Sequence, residues 1–215
     1  MLELLDELKV ELPALLVDAG SWQSLRIDYH PPLVNRLWRE WRDYRVYLHI
    51  IYPCSREEAL FHPHPWPSAM EIVSGKYEMT VGYGEENNPP PVASIIELPE
   101  GAKYEMTNIN SWHLVRPLDG PSASIMIAGK PWNRQAPKSD RALEPLHPQI
   151  AKDLLDYFRL RLGYKYNALS HDVIEVARHT GHILGYYAAL AHVVKCGQCQ
   201  KRLDDIYRGR YLSLD

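Results

Sequence analysis

Hydrophobic residues near the start of the chain recur at helical spacing. Leucines stand three or four positions apart between residues 2 and 16, which places them along one side of an α-helix. Pro13 falls inside this segment and should bend or restart the helix, because proline lacks an N–H and clashes with the preceding turn. We predict an amphipathic helix within residues 1–20 that serves for packing or for pairing with a second copy of the chain.

From residue 22 onward the pattern changes to short segments rich in β-forming residues. Pro, Gly and Asn separate these segments, and no long helix stands between them, which favours a β-sandwich or a jelly roll. Residues 31–41 (PPLVNRLWREW) have helical spacing instead and are expected to lie across the outside of the sheets. The predicted strands are WQSLRIDY, YRVYLHIIY, AMEIV, KYEMTVGY, VASIIEL, AKYEM, HLVRPL and SASIMIAG.

Helical spacing returns in the last third of the chain. A polar segment at residues 136–147 is interpreted as a linker between a β domain at residues 21–135 and a helical extension at residues 148–215. The first helix of that extension should bury one face, and a second should begin near Ser170, an N-cap candidate. The last segment, QKRLDDIYRGRYL, is a candidate for a third helix. The face of the first helix consists of Ile150, Leu154, Phe158 and Leu162.

Composition and charge exclude several classes of protein. The 215 residues are 46% apolar, enough for one principal domain. The net charge of −3 lacks the basic surplus of nucleic-acid-binding proteins. No apolar run reaches membrane-spanning length. Three cysteines, an odd count, fit reduced thiols better than a disulfide framework. We therefore expect a cytoplasmic protein that binds neither nucleic acid nor membrane.

A pair of histidines provides the first candidate chemistry. His62 and His64 lie in the stretch FHPHPWPSAMEIVSGKYEMTVG, residues 61–82. In a strand, side chains two positions apart share a face, so both imidazoles can bind one metal ion. Such pairs also occur by chance, so the pair alone is weak evidence for a metal site. The residues that follow it provide further evidence.

The order of motifs resembles the cupin superfamily. His62 and His64 match the two histidines of the first cupin motif, Gly75 matches its glycine, and His113 matches the histidine of the second motif. The resemblance covers roughly Trp22 to Trp132. It implies a cupin-type double-stranded β-helix, or jelly roll, in which strands bring the ligands of a divalent metal together at the mouth of a small barrel.

Two departures from the cupin pattern concern the ligands. Ser68 stands where the family has a glutamate, and serine is a poor ligand for a divalent metal. Glu71 is the nearest carboxylate but has the wrong parity, so only a bulge would turn it toward the site. In the second motif the strict spacing points to Tyr104, with a redox or hydrogen-bonding role, whereas the local pattern favours His113.

Other polar groups are weaker candidates. Arg45, Tyr47 and His49 share one face of a predicted strand and would line the barrel for a polar substrate, or else face solvent. We interpret the helical set Glu175, His179 and His182 as a solvated or partner-facing surface. Cys196 and Cys199 have the spacing of half a zinc site, but two thiols in a turn between helices are the simpler interpretation.

The resemblance also implies a function. Three histidines without a carboxylate resemble the ligands of the iron dioxygenases among the cupins, so the expected enzyme is an Fe(II)-dependent dioxygenase of a small organic acid or related metabolite. Mn, Ni or Zn would suit an isomerase or lyase on the same site. The remaining alternative is a barrel that binds a ligand without turnover and contacts a partner through its helices. A homodimer would suit the leucine-rich first helix.

Overall fold

The computed structural model describes residues 1–85, 88–134, 137 and 139–163. Within them the chain is mainly β, and the prediction of an antiparallel fold with an N-terminal helix and a helix after the linker is confirmed. The elements are α1 (Leu2–Val17), a 3-10 turn (Ala19–Ser21), β1 (Gln23–Ile27), β2 (Val34–Trp41), β3 (Tyr44–Ile51), β4 (His62–Pro63), β5 (Ser68–Tyr83), β6 (Val92–Leu98), β7 (Lys103–Met106), β8 (Ser111–Ala128), α2 (Pro148–Phe158) and a π-helical turn (Arg159–Gly163).

Two long strands, β5 and β8, organise the sheet. The sheet order is β1-β2-β3-β8-β5-β6, with β4 paired to β8 and β7 paired to β5. β8 pairs with β4 near its start and with β3 near its end, while it follows β5 for most of its length. Because each long strand changes partner along its course, the sheet bends around one interior face.

The segment predicted to be an outer helix is a strand instead. Residues 34–41 form β2, which pairs with β1 on one side and β3 on the other. The helical interpretation was wrong because both faces of the strand carry apolar residues, which hides the two-residue period. Leu37 and Trp41 are buried on one face, whereas Val34 and Trp38 pack against the interior core on the other.

Gly75 marks a bulge and not the predicted turn. AMEIV and KYEMTVGY belong to one continuous strand, β5, whose register against β8 shifts on both sides of Ser74. Gly75 has φ +76°, and a Cβ there would lie 2.9 Å from Ser122 Oγ. Only glycine combines this backbone conformation with so close a neighbouring strand. HLVRPL and SASIMIAG likewise merge into the single strand β8.

The interior face of the sheet holds an apolar core. Its members alternate along their strands, as side chains of period two must when one face is enclosed. At one end aromatic and sulphur-containing side chains fill the interior, and at the other end the face opens into a cavity. The buried members are Tyr47, Ile51, Met70, Ile72, Tyr77, Met79, Met126 and Ala128.

The chain divides into two compact units, and residues of α1 belong to both. The first comprises Met1–Glu11 and Gly20–His147. In it, the predicted linker packs along β1, since Arg26 N donates to Glu144 O at 2.9 Å and Leu146 N donates to Ser24 Oγ at 3.1 Å. α1 continues through Pro13 without the predicted interruption, and the leucines on both sides of it are buried, which offsets the lost hydrogen bond.

The second unit comprises Leu12–Ala19 and the chain from Pro148. α2 buries Leu154 and Phe158 as predicted, whereas Ile150 is 40% exposed. Arg159 donates from Nε to Leu16 O at 2.8 Å, so it caps the end of α1. The helices predicted beyond residue 163, with the histidine set and the two cysteines there, lie outside the described residues. No helix in the described part has the length and apolar character needed to cross a membrane.

Candidate functional site

The open end of the sheet interior forms a cavity of about 280 Å³, called here the histidine cavity. Its volume is near the lower limit for small-molecule sites. Five histidines and one arginine lie among otherwise apolar and aromatic side chains. The lining residues are Leu25, Ile27, Tyr29, His30, Pro32, Val34, Arg36, His49, Ile51, Leu60, His62, His64, Pro65, Trp66, Met70, His113, Val115, Met126, Pro137 and Leu143.

Strand pairing brings three of the predicted residues together. His62 of β4 lies directly opposite His113 of β8, so the two side chains share a face. His64 is two positions further on, and its N–H continues the pairing by donating to Ser111 O at 3.4 Å. The ring centroid of His113 lies 4.8 Å from that of His62 and 4.9 Å from that of His64.

Hydrogen bonds orient two of the three rings. His62 Nδ1 lies 2.9 Å from Leu60 O, and His64 Nδ1 lies 3.0 Å from Trp66 O. A carbonyl oxygen only accepts, so each Nδ1 carries the proton and donates it. The lone pair of each ring is therefore on Nε2, the arrangement usual in metal-binding histidines.

Burial keeps all three imidazoles neutral. Removal from water lowers the pKa of His62 to about 4 and that of His64 to about 3. The pKa of His113 falls well below its ordinary value for the same reason, with a further contribution from the two neighbouring histidines. Neutral imidazole is the form that binds a metal, so protons do not compete for these nitrogens near pH 7.

The nitrogens do not converge as they stand. Within the described residues, no three His, Cys, Asp or Glu side chains form a group that could hold a metal ion. The distances from the His113 ring to the other two rings nevertheless match those expected for two imidazoles on one ion, because imidazoles bound at about 2.0–2.1 Å have centres roughly 4.5–5 Å apart. His113 is the least constrained of the three rings, since its buried Nδ1 has no hydrogen-bond partner among the residues that the structure describes. A rotation of this side chain is the simplest way to bring the donors together.

Ser68, the residue at the cupin glutamate position, contacts the site indirectly. It is 3% exposed, and its Oγ lies 3.1 Å from His64 Nδ1. Trp66 O already accepts from that nitrogen, so the serine shares the same N–H as a second acceptor. Ser68 thus helps to orient a histidine and offers the cavity no carboxylate.

The other two sequence candidates lie away from the cavity. Glu71 faces α1, where both carboxylate oxygens accept from Lys9 Nζ at 2.7 Å. No bulge turns it inward, because the register shifts of β5 begin only after Ile72. Tyr104 is in the packed end of the interior, where its hydroxyl accepts from Tyr77 at 3.0 Å and donates to Met70 Sδ at 2.9 Å. Burial raises its pKa.

His49 lines the cavity but is already engaged. Arg36 Nε donates to His49 Nε2 at 2.9 Å, and Ser124 Oγ lies 3.5 Å from Nδ1. Burial, and then the positive charge of Arg36, lower the pKa of His49 well below its ordinary value. Its role is therefore to position Arg36, since Nε2 has no lone pair left for a metal.

Arg36 and His30 are cavity residues that the sequence did not reveal. Arg36 belongs to the segment interpreted as a helix, although its place opposite His49 follows once 34–41 is paired as a strand. Arg45 of β3 was predicted to supply a cation to the barrel, whereas the arginine that lines the histidine cavity is Arg36 of the neighbouring strand β2. His30 has its ring 6.0 Å from that of His62. It lies between strands, where no periodic pattern could have indicated its direction.

Comparisons with known proteins add a partial likeness. No protein-family model matches the chain, and no curated protein matches it. Hydroxypropylphosphonic acid epoxidase from S. wedmorenis is similar at TM-score 0.39 and 19% identity, over 51% of this chain and 56% of that one. An Fe(II) HppE structure has TM-score 0.41 and 17% identity, over 51% and 57%. A Co(II) HppE complex with substrate has TM-score 0.36 and 15% identity, over 44% and 51%.

These matches span only slightly more than half of the compared structures. A likeness of this extent and identity does not identify a reaction, so the function has to be argued from the residues. Three neutral imidazoles around one end of a small cavity are the chemical feature to be explained.

Proposed function

We propose that the chain is a metal-dependent enzyme in which His62, His64 and His113 bind a divalent transition metal, with Fe(II) favoured. The observation that carries this proposal is the meeting of three neutral imidazoles at one cavity, those of His64 and His113 buried and that of His62 half-buried. Structural packing alone would place apolar side chains there, because three imidazoles removed from water cost desolvation energy that a metal would offset.

The proposed reaction is oxygenation of a small organic acid. A bound Fe(II) would supply Lewis acidity and redox chemistry toward dioxygen. Imidazoles carry no charge, so the ion would keep its full positive charge and favour an anionic substrate.

The protein's own contribution is orientation and exclusion of water. Leu60 O and Trp66 O fix two rings through their Nδ1–H groups, and Ser68 supports the second. Val115, Met70 and the other apolar side chains of the lining limit the water that reaches the reacting atoms.

Metal analysis of the purified full-length protein tests this proposal. We expect about one transition-metal ion per chain in the wild type and almost none in the double variant His62→Ala/His113→Ala. His49→Gln is the matched control, because it removes a histidine from the same cavity whose Nε2 is held by Arg36. It should retain the metal.

The opposite results are equally informative. A wild-type protein that holds no metal after reconstitution with Fe(II), Mn(II), Ni(II) or Zn(II) would contradict the proposal. If the protein binds metal but consumes no oxygen with a panel of small acids, the proposed metal centre is supported and oxygenation of those acids is excluded. That outcome would favour an isomerase or a lyase.

A second candidate is a ligand-binding protein without turnover. The observation that favours it is that the three donor nitrogens do not converge in the described residues. It predicts that a small acid raises the melting temperature of metal-free protein and is recovered unchanged.

A further inference from the structure

The guanidinium of Arg36 has an unusual place in this molecule. It lies on the interior face of β2, stacked 4.9 Å from the centre of the Tyr47 ring, with Nε donating to His49. In the part of the chain that the structure describes, no carboxylate forms an ion pair with it. A half-buried guanidinium without a counter-ion is costly, so an anionic partner from outside the chain would stabilise it.

The described residues that line the cavities beside Arg36 include no acidic side chain. A second cavity, of about 400 Å³, shares Leu25, Arg36, Trp66 and Leu143 with the histidine cavity. Among the described residues that line either cavity, none is Asp or Glu, and the second cavity contains another arginine, Arg45. The two cavities therefore have a positive electrostatic potential, which attracts anions and repels cations.

The geometry also selects the shape of the anion. His49 occupies Nε, so Nη1 and Nη2 remain as a pair of parallel donors, and neither has a partner within the described residues. Such a pair matches the two oxygens of a carboxylate or a phosphonate. His49 and Tyr47 fix the plane of the guanidinium, which reduces the entropy lost when an anion binds.

Arg36 and the three histidines face the same small space. The charge of Arg36 contributes to the low pKa of both His62 and His64, so it acts across the cavity on those rings. At water's share of about 30 Å³ per oxygen, the histidine cavity holds roughly nine or ten non-hydrogen atoms. An acid of that size, anchored at Arg36, has its remaining atoms beside the histidines.

We propose that Arg36 is the specificity-determining residue of this cavity: it binds the oxyacid group of a small organic anion and directs the rest of the molecule toward His62, His64 and His113. This inference rests on the proposed function only for the reaction of the bound anion at the metal. Recognition of the anion by Arg36 needs no metal.

Calorimetric titration of the chelator-treated full chain tests the inference. The probes are benzoate, its neutral isostere benzamide, and methylphosphonate. The wild type should bind at least one of the two acids about tenfold or more tightly than benzamide, as expected for a charge-assisted bidentate contact. Whichever acid binds better identifies the oxyacid group, carboxylate or phosphonate.

Two variants assign the preference to Arg36. Arg36→Gln should lose it while its affinity for benzamide changes little, and Arg36→Lys should retain part of it, because lysine keeps the charge but not the paired donors. Arg39→Gln is the matched control, since it removes the same charge from the same strand at a position that lines neither cavity. Circular dichroism establishes that each variant is folded, and Arg36→Lys keeps the test decisive if Arg36→Gln is not.

The results separate this inference from the proposed metal enzyme. Equal affinity of the wild type for acids and amide, no binding of either acid at millimolar concentration, or an acid preference unchanged in Arg36→Lys and Arg36→Gln would each overturn it, even in a protein that binds metal. A preference lost with Arg36 supports it even if metal analysis finds no ion.

Discussion

Burial determines the charge of individual residues in the histidine cavity. His62, His64 and His113 are neutral because water is largely excluded from them, while Arg36 stays positive. A divalent ion beside these rings would gain no compensating charge from its protein ligands. The cavity would then hold three positive charges, counting Arg36, and an anionic ligand becomes the natural complement.

Glu78 shows the opposite effect of surroundings on a buried group. It is 5% exposed on the outer face of β5 and accepts hydrogen bonds from Arg56 and from Arg116, the latter at 3.0 and 3.2 Å. These two guanidinium groups lower its pKa from 4.5 to about 2. Its stabilising contribution is therefore complete above about pH 4.5 and disappears as the pH falls toward 2.

We expect Glu78→Gln to lower the free energy of unfolding at pH 7 by roughly 1–3 kcal/mol and to flatten its decline between pH 5 and 2. Urea unfolding at several pH values measures both effects. Glu97→Gln is the control, because Glu97 lies opposite Glu78 on β6 and is exposed, so its loss should change stability by less than about 0.5 kcal/mol. If the unfolding free energies of Glu78→Gln and the wild type fall in parallel as the pH is lowered, the ion pairs of Glu78 contribute nothing to stability.

The sequence predicted the cavity histidines His62, His64 and His113 but not Arg36. The spacing of His62 and His64 and the order of the motifs do not depend on knowing neighbouring strands. The direction of Arg36 follows only after β2 is paired with β3. Likewise, Ser68 could be identified as a departure from the glutamate position, whereas its contact with His64 Nδ1 depends on the course of residues 63–67, which contain three prolines.

At the scale of elements, the sequence predicted strand positions better than strand continuity. β6 coincides with VASIIEL, residue for residue. β5 and β8 were each divided in two, because Gly75 and the Asp119–Gly120 pair normally indicate turns. Here residues 75, 119 and 120 have positive φ within paired strands. Pairing on both sides of the strand, which a single sequence does not show, overrides the local preference.

Gly75 allows a direct test of the bulge in β5. We expect Gly75→Ala to cost about 1–3 kcal/mol more in unfolding free energy than Gly101→Ala. Gly101 has a similar φ of +83° but open space around it, whereas a Cβ at Gly75 meets Ser122 Oγ at 2.9 Å and Pro121 O at 3.0 Å. The difference isolates the close approach of β8 from the backbone strain common to both. Equal losses would mean that β5 and β8 separate freely at this point.

At the scale of the whole chain, α1 belongs to the packing of the chain itself. Leu5, Leu8, Leu12 and Leu16 are at most 1% exposed. Within the first unit, Lys9 pairs with Glu71 of β5, and Arg42 pairs with Glu7 and Glu11. The leucine face predicted as a packing or dimer element is thus buried within one chain.

This interpretation predicts a clear result for Leu8→Ala. The substitution should lower the free energy of unfolding by about 2–5 kcal/mol, because it removes a fully buried side chain and leaves a cavity, while the molar mass in solution stays that of the wild type. Val10→Ala, at a position 82% exposed on the same helix, should change stability by less than about 0.5 kcal/mol. Denaturant unfolding and light scattering measure the two quantities. If Leu8→Ala halved the mass and left the unfolding free energy of the separated chains unchanged, α1 would be a subunit interface and the leucine face would not be part of the core of one chain.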